Sequence, residues 1–178
     1  MTPKHYSDES HAHYLTFSCY HNLPLFKDNV IYGLFLQSLD AARNHGLFRL
    51  YGFVVMPNHV HLMTFPQNNT SLSAILTAVK QPFSYRGLNW LGRNWPEIYS
   101  HLTVKKGNRM LRRFWQAGGG YDRNVFKDET FIRSLEYMHY NPVRKGLVQS
   151  PLEWKWSSAR FYETGEIDLI KIDYPEWW

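Results

Sequence analysis

"VVMPNHVHLM", residues 54–63, decides how this chain is read. An apolar run breaks at Met56-Pro57-Asn58, resumes at His59, and carries two imidazoles where Val or Ile would pack better. Pro and Asn favour turn positions. The stretch therefore reads as the joint of a β-hairpin between "FRLYGFVV" (48–55) and "HVHLMTF" (59–65). Strand side chains alternate between faces, which puts His59 and His61 on one face and sends Val60 into the core. Two imidazoles side by side on a strand can ligate one metal ion; two polar positions on a half-exposed strand would read the same way. The chain holds its own control. "HAH" at 11–13 has the same spacing, but it follows the polar "SDES" and encloses the small Ala12, so His11 and His13 read as ordinary surface residues.

The pattern extends in both directions. "HYLTFSCY" (13–20) reads as a strand of β-formers. Residues 28–45 read as a helix, with Asp28 as N-cap, Ile31, Leu34, Phe35 and Leu39 at helical spacing, and Gly46 as the stop. A second helix covers 71–91 despite Pro82. "GYDRNVF" (120–126) is the closing strand. The glycines before it, Gly118–Gly120, fit a turn better than a close backbone approach to a phosphate. A third helix spans 128–141, from Asp128 with Glu129 in its first turn to the stop imposed by Pro142. Its apolar stripe is Phe131, Ile132, Leu135 and Met138. The order β-α-β-β-α-β predicts an α+β chain with a ferredoxin-like (split βαβ) antiparallel sheet, helices on one face, and the third helix added toward the C-terminus. "GLVQSPLEWKWSSARFY" reads as a packed loop and short helix. Residues 1–162 form the domain, and 163–178 a peripheral acidic, aromatic tail ending "YPEWW".

A hydrophobic content of 44% in 178 residues is enough for one real core. No apolar run is long enough for a transmembrane helix, and "MTPKHYSDESHAHY" lacks the apolar centre of a secretory signal. Cys19 is the only cysteine, which excludes an internal disulfide framework and a cysteine-based zinc site. The expected location is the cytoplasm. The net charge of +5 is unevenly spread. Glu163, Glu166, Asp168, Asp173 and Glu176 against Lys171 leave −4 in the tail and +9 elsewhere. The richest basic block is 80–113, where Lys80, Arg86, Arg93, Lys105, Lys106, Arg109, Arg112 and Arg113 face Glu97 alone. Trp90, Trp95, Tyr99, Phe114 and Trp115 lie in or beside it. Cations that track phosphates and rings that stack on bases suit nucleic acid; a solvated basic face with ordinary core aromatics is the alternative.

Two side chains seldom hold a catalytic metal, so a third ligand is needed. The third helix offers one. Tyr137 and Asn141 are four apart, on one face and away from the apolar stripe. An Asn carbonyl oxygen can ligate a hard cation, which would leave Tyr137 one turn from the metal, as a nucleophile or simply as packing.

"VVMPNHVHLM", "FWQAGGGYDRNV", "YMHYNPVRKGLV" and "WKWSSARFY", in that order and spacing, resemble the REP-associated tyrosine transposases of the single-tyrosine HUH superfamily, relatives of insertion-sequence transposases. The resemblance runs from about residue 13 to 162. It implies that His59 and His61 are the metal-binding pair with Val60 as the bulky residue between them. It implies that Asn141 is the third metal ligand (Gln in the insertion-sequence enzymes) and Tyr137 the catalytic nucleophile. The implied cofactor is Mg2+ or Mn2+. The implied partner is single-stranded DNA carrying a palindromic hairpin, cleaved and rejoined through a 5′-phosphotyrosine intermediate by a monomer or a homodimer. The basic block is then expected to grip the hairpin stem, with Arg144 and Lys145 meeting a phosphate just past the tyrosine helix. The competing reading is a non-catalytic nucleic-acid-binding module with a ferredoxin-like sheet, which would need aromatics where His59 and His61 stand. Met63 at the third position argues against a histidine-triad hydrolase, and the lack of a cysteine cluster against structural zinc.

Overall fold

The computed structural model describes residues 11–167 and 169–175. In chain order its elements are β1 (Ala12–Ser18), α1 (Asn29–Asn44), β2 (Phe48–Val55), β3 (His59–Pro66), α2 (Leu72–Asn94), α3 (Pro96–Ser100), β4 (Thr103–Lys106), β5 (Arg109–Arg112), β6 (Tyr121–Val125), α4 (Asp128–His139), α5 (Asn141–Arg144) and α6 (Ala159–Thr164). One four-stranded antiparallel sheet has the order β2-β3-β1-β6. That is the strand order a split βαβ chain must adopt when β3 returns between the first two strands. Among the described residues no helix is long and apolar enough to cross a membrane.

One face of the sheet is buried under α1 and α2. Asp28 caps α1, its Oδ1 accepting from the Val30 and Ile31 amides at 3.0 and 3.1 Å. Its Oδ2 accepts the indole N–H groups of Trp90 and Trp95 at 3.0 and 3.2 Å, so the same carboxylate ties α1 to α2. α2 runs through Pro82, which lies on its exposed side, because Ile75, Val79 and Phe83 anchor the helix at four-residue intervals. Leu15, Phe17, Val60 and Leu62 meet these helices from the sheet. Phe26, Phe35, Phe83, Phe114 and Trp115 fill the space between, with ring centroids 4.6–6.0 Å apart. The rings expected to stack on bases are thus largely committed. Phe114 and Trp115 belong to this core, Trp90 and Trp95 bond Asp28, and Tyr99 lies under the Arg112 guanidinium. Large flat side chains bring the most apolar area per residue into a core, so aromatic content alone did not locate a binding surface.

The opposite face carries α4. Phe131, Leu135 and Met138 pack on Tyr14, Tyr51, Val54 and Met63. Ile132, expected in that stripe, is exposed, and Ser134 takes a buried place instead, bonded to the Thr130 carbonyl. The helix begins one residue beyond Lys127, with Asp128 inside its first turn rather than at the cap. A register shift between Leu50 and Gly52 changes the parity of β2: Phe48 and Leu50 face the first core, and after the bulge Phe53 and Val55 do. Gly52 sits directly beneath α4. A Cβ there would lie 2.6 Å from Leu135 Cδ1 and 2.9 Å from Met138 Cε, so the absent side chain sets how closely the tyrosine helix approaches.

The outer edge of β2 is not left open. Val55 N donates to Trp156 O at 2.8 Å and Ser158 N to Phe53 O at 2.9 Å. Farther along, Asp173 N donates to Leu50 O at 2.8 Å, while the Asp173 carboxylate accepts from Leu50 N and from Arg43. Ile170 and Ile172 are buried in the first core. Residues 169–173 are therefore not peripheral: alternating Ile170 and Ile172 with a paired Asp173 let them cover an edge whose backbone groups need partners. Trp177 and Trp178 lie outside the described residues. The glycine linker serves a turn. Gly118 and Gly120 have φ of +99° and +79°, and a Cβ on Gly120 would lie 2.1 Å from the Thr16 carbonyl oxygen.

Candidate active site

His59 and His61 share the face of β3 turned toward α4, and their Nε2 atoms are 3.0 Å apart. The alternation that places them there also drives Val60 into the first core. The outward nitrogens are fixed from behind. His59 Nδ1 lies 2.7 Å from Asn58 Oδ1, which can only accept; the proton is on Nδ1, and Nε2 keeps its lone pair. His61 Nδ1 lies 2.9 Å from the Tyr14 hydroxyl and 2.8 Å from Thr16 Oγ1. Donation to either hydroxyl leaves His61 Nε2 free to ligate. Burial lowers His59 to about 4, helped by the nearby Lys145 charge. Burial, with His59 and Arg144, lowers His61 to about 3. Both rings are neutral at physiological pH.

Asn141 follows α4 at the first residue of α5. Pro142 shifts the chain out of α4 as expected, yet the turn persists, with Lys145 N donating to Asn141 O at 3.0 Å. Its side chain is buried, with Nδ2 2.8 Å from His61 Nε2. A half-turn of the amide brings Oδ1 to the same place. Two imidazole nitrogens and an amide oxygen form a mixed N/O donor set that suits a divalent cation such as magnesium or manganese. The nitrogen separation fits too: adjacent ligands of an octahedral ion with bonds of about 2.1 Å lie about 3.0 Å apart. Among the described residues no three His, Cys, Asp or Glu side chains cluster, and the Asn141 amide is the side chain that could complete a donor set with this pair.

Tyr137 stands on the exposed flank of α4. It shares a cleft of roughly 570 Å³ with His61, Tyr14, Thr16, Tyr121, Arg123 and Arg133. The Arg144 guanidinium lies over its ring, 3.8 Å from Cζ to the centroid, and donates to the Tyr137 carbonyl. Burial pushes the Tyr14 hydroxyl up to about 12, so it remains a neutral partner of His61. Among the described residues no carboxylate lines the cleft. His139 turns away, buried and bonded to Ser158 Oγ at 2.9 Å; Tyr140 is exposed.

The ten basic residues singled out in the sequence divide. Arg144 and Lys145 flank the site. Lys80, Arg86 and Arg93 belong to α2, on the opposite side of the sheet, where Arg86 bonds Gln37 of α1. Lys105, Arg109 and Arg112 are exposed on the β4–β5 hairpin, in which Lys106 pairs with Arg109, and Arg113 follows, half-buried. This hairpin, read as part of an undifferentiated basic block, is tethered at the site's end of the sheet: Tyr20 N donates to Phe114 O, and Cys19 N to Asn58 O, both at 2.8 Å. Arg123 and Arg133, which do line the cleft, lie outside that block. The alternation of Tyr121, Arg123 and Val125 in a strand pairing β1 was the signal available for Arg123. His13 is not a surface residue: it is 1% exposed, on the helix-covered face, with Nδ1 3.1 Å from Asp122 Oδ1. His11 is half-buried against Phe126.

A ferredoxin-like sheet with a paired H-x-H on one strand and a tyrosine helix laid over the same face describes the class of this chain. No protein-family model matches it. It is 27% identical over 145 residues to a Haemophilus influenzae protein named as a candidate REP-associated tyrosine transposase, covering 81% of this chain and 74% of that one. It is 21% identical over 144 residues to the Escherichia coli K12 REP-associated tyrosine transposase, covering 80% and 72%. A solved structure of a REP-associated tyrosine transposase bound to a REP hairpin superposes with a TM-score of 0.69 at 18% identity, over 98% of this chain and 91% of that one. The resemblance carried by the four motifs is thus met both by curated relatives of that name and by the fold.

Proposed function

We propose that this chain is a metal-dependent, single-tyrosine transposase that cleaves and rejoins single-stranded DNA at hairpin-forming palindromic repeats. The observation that carries the reading is that His59 Nε2 and the Asn141 amide lie 3.0 and 2.8 Å from His61 Nε2, beside a cleft that Tyr137 shares with His61. In this reading these three residues hold a magnesium or manganese ion, whose chemistry is to polarise the scissile phosphate and offset its developing charge. Asn58, Tyr14 and Thr16 orient the imidazoles. Arg123, Arg133 and Arg144 draw the phosphate into the cleft.

Tyr137 Oη attacks phosphorus: the Oη–P bond forms, the P–O3′ bond breaks, and the departing 3′ oxygen takes a proton from water. The Tyr137 proton leaves to solvent, to which the side chain is open. The 5′-phosphotyrosine stores the bond energy of the cut. A phenol, with its reference pKa near 10, is a better leaving group than an alcohol, so a 3′-hydroxyl can later displace it and rejoin DNA without a nucleotide cofactor. The β4–β5 hairpin cations, at the same end of the sheet, supply the phosphate contacts for a stem. The non-catalytic alternative finds little support, because α4 covers the sheet face that an RRM-type binder would offer to bases.

The test is incubation with single-stranded hairpin oligonucleotides and magnesium or manganese, scored for a covalent protein–DNA adduct. Wild type forms it. Tyr137→Phe, which keeps the ring and its Arg144 contact, does not. Adduct formation by Tyr137→Phe, with loss in Tyr121→Phe or Tyr140→Phe, would reassign the nucleophile.

A further inference from the structure

A second cavity, of roughly 540 Å³, opens on the helix-covered face between α2 and the segment leading into β6. That is an ordinary size for a small-molecule site. From α2 it is lined by Ser73, Thr77, Lys80, Gln81 and Ser84, a polar stripe at helical spacing. Leu15, Leu76 and Trp115 form an apolar wall. Lys80 is half-buried, its amino group 5.2 and 5.9 Å from the Phe17 and Trp115 ring centroids and 3.4 Å from the Gly118 carbonyl. Among the described residues it makes no ion pair. Asp122, the one carboxylate lining the cavity among the described residues, is engaged by His13. A cation in that setting, its pKa lowered by burial, is best satisfied by an anion.

β6 separates this cavity from the catalytic cleft. Tyr121 and Arg123 line the cleft, and Asp122 between them lines the cavity. β6 is the last strand on its side of the sheet, and the cavity's rim there is Gly118 and Gly119, which carry no side chains. Among the described residues the rim at these two positions presents only backbone to a DNA chain leaving the cleft. We infer that the cavity is a specificity pocket for one unpaired nucleotide flanking the cleavage point, its phosphate on Lys80 and its base against the Trp115 wall within reach of Thr77, Gln81 and Ser84. This inference rests on the single-stranded DNA reading of the cleft.

The experiment is an abasic scan. Hairpin oligonucleotides with single-stranded flanks, each lacking one base, are titrated by fluorescence anisotropy at fixed salt, and the same samples are scored for the Tyr137 adduct. Wild type loses about tenfold in affinity at one flanking position. Lys80→Gln, and Thr77→Trp, which fills the cavity from an exposed rim, bind the intact oligonucleotide at the abasic level and lose nothing more at that position; melting curves verify their folds. A flat wild-type scan, or folded variants that still discriminate at that position, overturns the pocket. An adduct with a flat scan removes the pocket and keeps the transposase reading; discrimination without an adduct does the reverse. Free deoxynucleoside monophosphates form a further arm. Saturable binding that Lys80→Gln abolishes, alongside a flat scan, gives the cavity to a free nucleotide and overturns the inference.

Discussion

His59-Val60-His61 and His11-Ala12-His13 share a spacing; the first begins β3 and the second leads into β1, its antiparallel neighbour. In the first triplet Val60 enters the core under α1 and α2, and both imidazoles emerge toward α4, where Nε2 meets Nε2 at 3.0 Å. In the second the parity is reversed. Ala12 faces α4, and His13 turns under the helices, where Asp122 takes its Nδ1. Identical spacing therefore yields a convergent donor pair on one strand and a buried structural hydrogen bond on the next. What separates them is which face each strand's apolar residues claim, because a period-2 chain cannot move its histidines without moving its core.

Substitutions can break this comparison or sharpen it. The largest effect is expected from His59→Ala or His61→Ala: adduct formation falls by at least a hundredfold, and the manganese binding heat seen by calorimetry disappears in the double variant, while His13→Ala keeps both. Adduct loss in a folded His13→Ala protein would erase the distinction between the triplets. Next is the seat of the tyrosine helix. Gly52→Val drives a branched side chain into Leu135 and Met138 and should cost about 2–3 kcal/mol in chemical denaturation. Gly33→Ala, in α1 with nothing within 4 Å of the new carbon, should be neutral or slightly stabilising.

A third effect is the pH dependence of stability. Burial lowers His61 to about 3 and His139 to about 4, whereas in the unfolded chain a histidine titrates near 6.5. Between about pH 6.5 and 4 the unfolded state binds protons that the folded state refuses, so stability falls as pH drops through that window, by on the order of 1 kcal/mol per pH unit. His61→Gln should flatten the slope of denaturation midpoint against pH. An unchanged slope would mean that the site imidazoles do not carry it. Smallest is His13→Ala, which removes one partner of a buried carboxylate and should cost about 1 kcal/mol; no measurable cost would show that this hydrogen bond adds nothing to stability.

Much of this was legible. The hairpin at Met56–Asn58, the cap at Asp28 and the parity of His59 and His61 are local facts, set by turn chemistry and a period of two or 3.6 residues. The basic block was legible as charge but not as place. Its residues are divided between the far face of the sheet, at α2, and the β4–β5 hairpin, because a charge count carries no direction. Arg123 and Arg133 escaped notice because each stands alone in its own segment and joins the cleft only when β6 pairs with β1 and α4 folds over both. Ile170, Ile172 and Asp173 were read as part of an acidic tail for the same reason: Leu50 and Arg43, which hold Asp173, lie more than a hundred residues away, and the core that takes the two isoleucines is drawn largely from distant segments.

By itself, the sequence determined the order of the four sheet strands and of α1, α2 and α4 among them, though not α3 or the β4–β5 hairpin, and it determined the strand that bears the two histidines and the helix that bears Tyr137. Each rests on residues within a turn or two of one another. Tertiary structure decided the rest. It turned Asn58, Tyr14 and Thr16 into the backing of the imidazoles, brought Asn141 to within 2.8 Å of His61 across eighty residues, and let α4 approach through the missing side chain of Gly52. Local pattern fixes which face a residue takes, but which residues meet across that face depends on register and helix seating, and those are settled only when the whole core packs.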